Sequence, residues 1–477
     1  MNLLKIVKQN HLGENFKRCV WGIEREGLRA TDQRLALTSH PKSLGSRVTH
    51  PYIQTDYSDS QPELITPPLS PLSFSYHWLC ALTGILQESL NTHEYLWPFS
   101  MPCVLPESDE KIPISSYTSQ EIKQYRQETG EKYGRKRQLI TGIHLNFSLP
   151  DDLVWQLFQS QDEMAEKSTL TDYLYLKMSV NFLRYQWLLV YYFGASPVAD
   201  ETLLNSDYYK KLPAITSPVR SLRSSVYGFQ NIGDFVVRYD SLEHYVADIQ
   251  AAVEQGYLKE EREYYENVRL RHLSNQSTNL LRDGIQYLEF RLFDLDPFSP
   301  YGIGGEQLNF VHLFLLTMLF IPQFADNEGV EAGREKIRSV ALESPYRVVD
   351  DVAEGRWLID QMQNVAQLLY ADVDVSQWLN KYRTLLDQPS QTLSARIVDK
   401  IKNDGGFLTL GQKLGEKHRN HLLKTDDYWG GFGSLWPGQR LKLAHAMREG
   451  NPLNLMQSFL YRDHMENFSS WLQGQMD

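Results

Sequence analysis

Apolar and polar residues alternate with a period of two in four stretches of the chain, as they do in a strand that buries one face. The stretches are 18–30, 50–66, 138–149 and 285–295. In "LITGIHLNFSL" (139–149), Ile143, Leu145, Phe147 and Leu149 share one face, and Gly142, His144, Asn146 and Ser148 share the other. "QYLEFRLFDL" (286–295) sets Leu288, Phe290 and Leu292 against Tyr287, Glu289, Arg291 and Phe293. "VWGIEREGLRA" (20–30) puts Glu24 and Glu26 on the same side of a strand. "YIQTDYSDSQPELITP" turns around "SDSQP", with Asp56 before the turn and Glu63 after it. Helical periodicity runs instead through 73–92, 172–193, 241–255, 306–321 and much of 354–402. Gly and Pro cluster between these segments, as in "SMPCVLPES" and "DPFSPYGIGG". Strands and helices are interspersed through the first 325 residues without a βαβ rhythm, and the chain beyond is mostly helical. This pattern predicts an α+β fold with an antiparallel or mixed sheet. Residues 1–326 would carry the sheet, and 327–477 would be a helical region packed on it and not independent of it.

The polar faces hold candidate chemistry. The four strand-like segments supply Glu24, Glu26, Asp56, Glu63, His144 and Glu289. If they share one sheet, like charges on one face repel and need a counter-charge. A hard divalent cation with oxygen ligands supplies it, and Mg²⁺ or Mn²⁺ tolerates one imidazole in the set. A plainer reading stays open, because a single glutamate on a strand face is commonly solvated or salt-bridged and a single histidine commonly has an ordinary partner.

Composition narrows the class. The 477 residues are 42% hydrophobic and 22% charged, an ordinary globular balance. A net charge of −11 without a basic block argues against nucleic acid as a partner. Cys19, Cys80 and Cys103 are odd in number and lack a C-x-x-C, so neither a disulfide framework nor a zinc knuckle is indicated. The N-terminal segment lacks the apolar run and small-residue cleavage site of a leader. The most apolar stretch, 308–324, is short and interrupted by Asn309, His312 and Pro322, which suits a buried helix better than a membrane span. These features predict a soluble, cytoplasmic protein. His418 and His421 of "HRNH" lack a third ligand and read as an exposed helix face. "YGIGGEQ" lacks the Lys-Ser/Thr of a phosphate loop and reads as a turn before a helix. No G-x-S-x-G or H-E-x-x-H occurs.

Seven collinear blocks between about residues 20 and 325 resemble the bacterial glutamate–cysteine ligases: "GIEREGLR", "SHPKSLGSRVTHPYIQTDYSDSQPELITP", "EYLWPFSMP", "TGIHLNFSLP", "FGASPV", "PVRSLR" and "GIQYLEFRLFDLDPFSPYGI". The resemblance is greatest to the ligase half of the bifunctional glutathione-synthesising fusions. It implies a glutamine synthetase-like fold, a curved antiparallel sheet lining the active site with helices outside. It also implies ATP-dependent joining of the glutamate γ-carboxylate to the cysteine amine through an acyl phosphate. The fusions carry a C-terminal ATP-grasp domain that adds glycine. A chain of this length has no room for one, so the expected product is γ-glutamylcysteine.

By the same resemblance, Glu24, Glu26, Asp56, Glu63, His144 and Glu289 fall at or beside the metal positions, with Glu26 and Glu289 also catalytic. Arg223 would hold the substrate glutamate, with Gln138 and Ile140 lining its site. Arg291 would face the transferred phosphoryl group, and Arg126 and Arg269 would add nucleotide or phosphate contacts. Tyr57, Tyr125 and Tyr265 match positions around the cysteine pocket. At Phe229 the family often has tyrosine; Tyr227, two residues earlier, is a possible substitute for the missing hydroxyl. Trp97, Pro98, Pro102, Ser196, Pro197, Asp294 and Pro297 match as packing and turn residues. Alternatives are a γ-glutamyl ligase using another amine acceptor, a non-catalytic glutamate- or nucleotide-binding relative, and a metal-dependent hydrolase.

Overall fold

A computed structural model describes residues 1–45, 50–116, 119–274, 276–323, 327–433 and 435–450. Residues 46–49 of the second block and 451–477 of the expected helical region lie outside these. The expected strand 18–30 is two strands, β1 (Val20–Glu26) and β2 (Leu28–Thr31), in two different sheets. The alternation continues across Gly27 because both strands bury a face, and alternation alone does not say which partner each will take. Next comes β3 (Arg34–Leu35). The segment 50–66 is a hairpin of β4 (Ile53–Thr55) and β5 (Pro62–Ile65). The remaining strands are β6 (Tyr95–Trp97), β7 (Ile143–Ser148), β8 (Val268–Arg271) and β9 (Tyr287–Phe293). With only three and four residues, β6 and β8 carry too little pattern to be read from sequence.

The larger sheet has the order β4-β5-β1-β7-β9-β8, and its strand pairings are all antiparallel. One face is apolar. Ile23, Leu145, Phe147, Leu288 and Phe290 on it are completely buried, each worth about 1.5–3 kcal/mol. Trp21 lies 4.8 Å from the rings of both Phe147 and His312, and Phe182 lies 4.7 Å from Phe290. These contacts seat the helices Lys167–Tyr185 and Gly305–Phe320 against the sheet. His312 is buried and its Nε2 is 2.7 Å from the Tyr370 hydroxyl; burial pushes its pKa down to about 3 and keeps it neutral. The opposite face of the sheet is polar and carries the candidate site.

The smaller sheet, β3-β2-β6, anchors a second core that includes Leu28, Tyr95, Trp97, Ile397 and Leu410. The Trp97 indole donates to the Met101 carbonyl at 2.9 Å, and a Cβ on Gly411 would fall 2.0 Å from its ring. The later helices therefore close both cores: Tyr382 also packs on Phe310 at 4.2 Å. His418 corrects the exposed-face reading. It is buried, with Nε2 2.9 Å from the Pro297 carbonyl, while His421 is half-buried. The helix 407–424 packs on the core at that turn, which the i, i+3 spacing could not show. No helix among the described residues is long and apolar enough to cross a membrane.

Candidate active site

Register brings the acidic groups together. Glu24 of β1 is opposite His144 of β7, Asn146 of β7 is opposite Glu289 of β9, and Glu26 is opposite Glu63 of β5. His144 Nδ1 lies 3.2 Å from Glu24 Oε2 and 3.8 Å from Glu289 Oε1, and its Nε2 lies 3.5 Å from Glu26 Oε1. Glu24 Oε1 accepts a hydrogen bond from Asn146 at 2.7 Å. Asp56, in the β4–β5 turn, accepts from the Gln61 amide at 3.1 Å.

The charges are unbalanced along the face. Burial alone would raise the pKa of Glu289, but Arg291, Arg271 and Arg269 outweigh it and hold the carboxyl far below the usual range. Arg291 donates to Glu289 Oε1, and Arg271 Nε lies 3.3 Å from Oε2. Glu24 is half-buried, which raises its pKa, but its hydrogen bonds from His144 and Asn146 outweigh that and lower it. Glu63 goes the other way: burial and the charges of Asp56, Glu24 and Glu26 push it well above the carboxylate range. Burial and Asp56 likewise raise Glu26. A cation between these groups would reverse both shifts.

The residues fit such an ion. Glu24, His144 and Glu289 each offer one ligand atom, all within 4.8 Å of one another. Two carboxylates and one imidazole from three adjacent strands suit a hard divalent cation.

A cavity of about 270 Å³ opens over this face. Of the acidic set, Glu26, Asp56 and His144 reach its lining. Its remaining wall includes every substrate and nucleotide residue expected from the sequence: Tyr57, Tyr125, Arg126, Gln138, Ile140, Arg223, Phe229, Tyr265, Arg269 and Arg291. Arg137, Thr129, Arg262, Glu263 and Tyr264 also line it and were not expected. Arg137 adjoins Gln138, but nothing in periodicity marks a residue on a short turn.

Two local devices aim the arginines. Between Phe290 and Phe293, β9 has two residues where β7 has only His144, a bulge that turns the backbone. The Arg223 guanidinium donates to the carbonyls of those two residues, Leu292 at 2.7 Å and Arg291 at 2.8 Å. Gly142 makes room for it, since a Cβ there would fall 2.3 Å from Arg223 Nη2. Around the wall, Arg126 donates to the Thr55 carbonyl at 3.0 Å, and Arg262 lies 4.3 Å over the Tyr125 ring. Burial raises Tyr57 to about 12 and raises Tyr125 as well, so both remain protonated donors. Phe229 packs between Tyr133 at 5.0 Å and Tyr265 at 5.2 Å. Tyr227 does not replace the missing hydroxyl, because it is buried and donates to the Pro213 carbonyl at 2.5 Å.

Fold and site together define a helix-flanked antiparallel-sheet protein with a cation-competent acidic cluster under an arginine-rich cavity. The sequence profile described as glutamate-cysteine ligase matches residues 4–338, and the chain belongs to that family. It is 38% identical over 475 residues to the glutathione biosynthesis bifunctional protein GshAB of Mannheimia succiniciproducens, covering 98% of this chain and 62% of the relative. The corresponding protein of Pasteurella multocida is 35% identical over the same length and coverage. The chain thus spans about three-fifths of the length of these curated relatives. The crystal structure of a bifunctional glutathione synthetase from Pasteurella multocida superposes with a TM-score of 0.88 and 34% identity, over 94% of this chain and 58% of that one. The glutamate–cysteine ligase of Francisella tularensis, solved in complex with AMP, shares the fold with a TM-score of 0.78 and 24% identity, over 96% and 97% of the two chains.

Proposed function

We propose that the chain catalyses ATP-dependent ligation of the L-glutamate γ-carboxylate to the L-cysteine amine, giving γ-glutamylcysteine, ADP and phosphate. The observation that carries this reading is the meeting of Glu24, His144 and Glu289 under the arginine-lined cavity, in a member of this family. The proposed fold detail is a curved, glutamine synthetase-like sheet, and the proposed ion is Mg²⁺, with Mn²⁺ as a substitute. Cytoplasmic ATP as co-substrate and free, buried cysteines at 19, 80 and 103 agree with a cytoplasmic site of action.

A carboxylate does not acylate an amine at neutral pH, because oxide is the leaving group. A γ-carboxylate oxygen attacks the terminal phosphorus of ATP and ADP departs. The cysteine amine then attacks the resulting acyl phosphate, the C–O bond to phosphate breaks, and the ammonium proton passes to a base. A cation bound by Glu24, His144 and Glu289, with Glu26, Asp56 and Glu63 beside it, would supply positive charge to the phosphate oxygens. Arg291 presents its guanidinium to the moving phosphoryl group, and Arg126 and Arg269 add charge along the wall. Arg223, pinned to the β9 bulge, fixes glutamate with Gln138 and Ile140, so that the γ end and not the α end faces ATP. Tyr57, Tyr125, Tyr265 and Phe229 enclose the acceptor. Residues 1–326 hold this catalytic machinery and the helical region completes the same folding unit.

The deciding experiment is mass spectrometry of the product from glutamate, cysteine and ATP with and without Mg²⁺. Product that forms equally well in excess chelator, or no product at all, rejects the reading. Phe229 favours a second reading, ligation to another amine acceptor such as a different amino acid or a small amine, which phosphate release across a panel of amines would reveal.

A further inference from the structure

Asn146 stands on the polar face of β7 between two carboxylates, and the reaction described above gives it no part. It is directly opposite Gly22 of β1 on one side and Glu289 of β9 on the other. Gly22 carries no side chain, so the amide can lean along β1 to the next residue of that face, Glu24, a diagonal neighbour. Its Nδ2 donates to Glu24 Oε1 at 2.7 Å. Its Oδ1 is buried and makes no hydrogen bond. Among the described residues, the side chain's one hydrogen bond is therefore the one to Glu24.

That bond makes the two oxygens of Glu24 unequal. Oε2 lies 3.2 Å from His144 Nδ1. Two ligands at right angles, each about 2.1 Å from a magnesium ion, stand about 3 Å apart. Oε2 is thus the oxygen placed to share an ion with the imidazole, and Oε1 is the one the amide holds. A carboxylate that binds through both oxygens must turn both toward the ion, and Glu24 can do so only by leaving Asn146.

Cations differ in what they ask of a carboxylate. Mg²⁺ demands a tight octahedron with one oxygen from each group, whereas Ca²⁺ takes more oxygens at longer range and gains from a bidentate carboxylate. Mn²⁺ follows Mg²⁺ in preferring the octahedron. Resting on the reading that this cluster holds a divalent ion, we propose that Asn146 is a positioning residue that keeps Glu24 monodentate and so makes the site favour Mg²⁺ over Ca²⁺.

Mn²⁺ binding to the full chain tests this without turnover, read from the electron paramagnetic resonance of the free ion with Mg²⁺ or Ca²⁺ as competitor. The ion to follow is the one that Glu24→Gln no longer binds. In the wild type, Mg²⁺ should displace it at a lower concentration than Ca²⁺. Asn146→Ala should lower the Ca²⁺ concentration required, relative to that of Mg²⁺, by about 10-fold or more, the worth of one charged contact. Asn146→Ser, too short to reach Glu24, should give the same shift and serves if the alanine variant does not fold. Displacement from the wild type by Ca²⁺ at an equal or lower concentration than Mg²⁺ overturns the proposal. So does an unchanged ratio in a folded variant, including one that loses affinity for both ions alike. Absence of any Mn²⁺ binding that depends on Glu24 defeats the ion-site reading itself, and the proposal with it.

Discussion

Glu289 shows what a single position contributes. Three arginines and the His144 imidazole surround its buried carboxylate, so its charge is fixed by neighbours on β8, β9 and β7. Glu289→Gln keeps the shape and removes the charge. Turnover should fall by about 100-fold or more, with the circular-dichroism spectrum retained; near-wild-type turnover would remove Glu289 from the mechanism. Phe229→Tyr should lower the KM for cysteine by returning a hydroxyl to the acceptor wall, and an unaltered KM would show that the hydroxyl is not missed there. Glu24, Glu26, His144 and Glu289 were each legible on the polar face of their own strand, because alternation on a strand is a local property of the backbone. Arg137, which lines the cavity from a short turn, was not, since no local pattern marks a residue there.

Elements decide how these faces meet. The β9 bulge opposite His144 is filled by Arg223 from a loop far away in sequence, and the small residue at Gly142 is what lets it approach. The break between β1 and β2 has a comparable anchor. Arg29 of β2 is completely buried and pairs with Glu94 at 2.7 Å, while donating to the Asp59 carbonyl at 2.9 Å. Arg29→Ala leaves Glu94 buried without its cation. Urea unfolding should show a loss of about 3–5 kcal/mol, and a loss under 1 kcal/mol would mean that the pair does not hold the small sheet in place. The sequence read β1 and β2 as one strand because nothing in their alternation distinguishes two partners.

At the scale of the whole molecule, the later helices contribute side chains to both cores, through Tyr382 on Phe310 and through Ile397 and Leu410 beside Trp97. Residues 1–326 expressed alone should therefore lack a cooperative melt, and a sharp transition like that of the full chain would refute a shared folding unit. Mg²⁺ should raise the melting temperature of the full chain, because an ion that binds only the folded face stabilises it by mass action, by about 2.7 kcal/mol at 100 times Kd. That rise should vanish in Glu24→Gln; a rise that persists would place the ion elsewhere. By itself the sequence determined the strand faces, the buried helix read at 306–321 and found at Gly305–Phe320, and the residue types of the site, since the elements follow from short-range periodicity. Only the tertiary structure decided which strands pair and which carboxylates share an imidazole. Those relations join separate segments of the chain, as Glu24 meets His144 and His144 meets Glu289, and they arise from register and packing that no local pattern encodes.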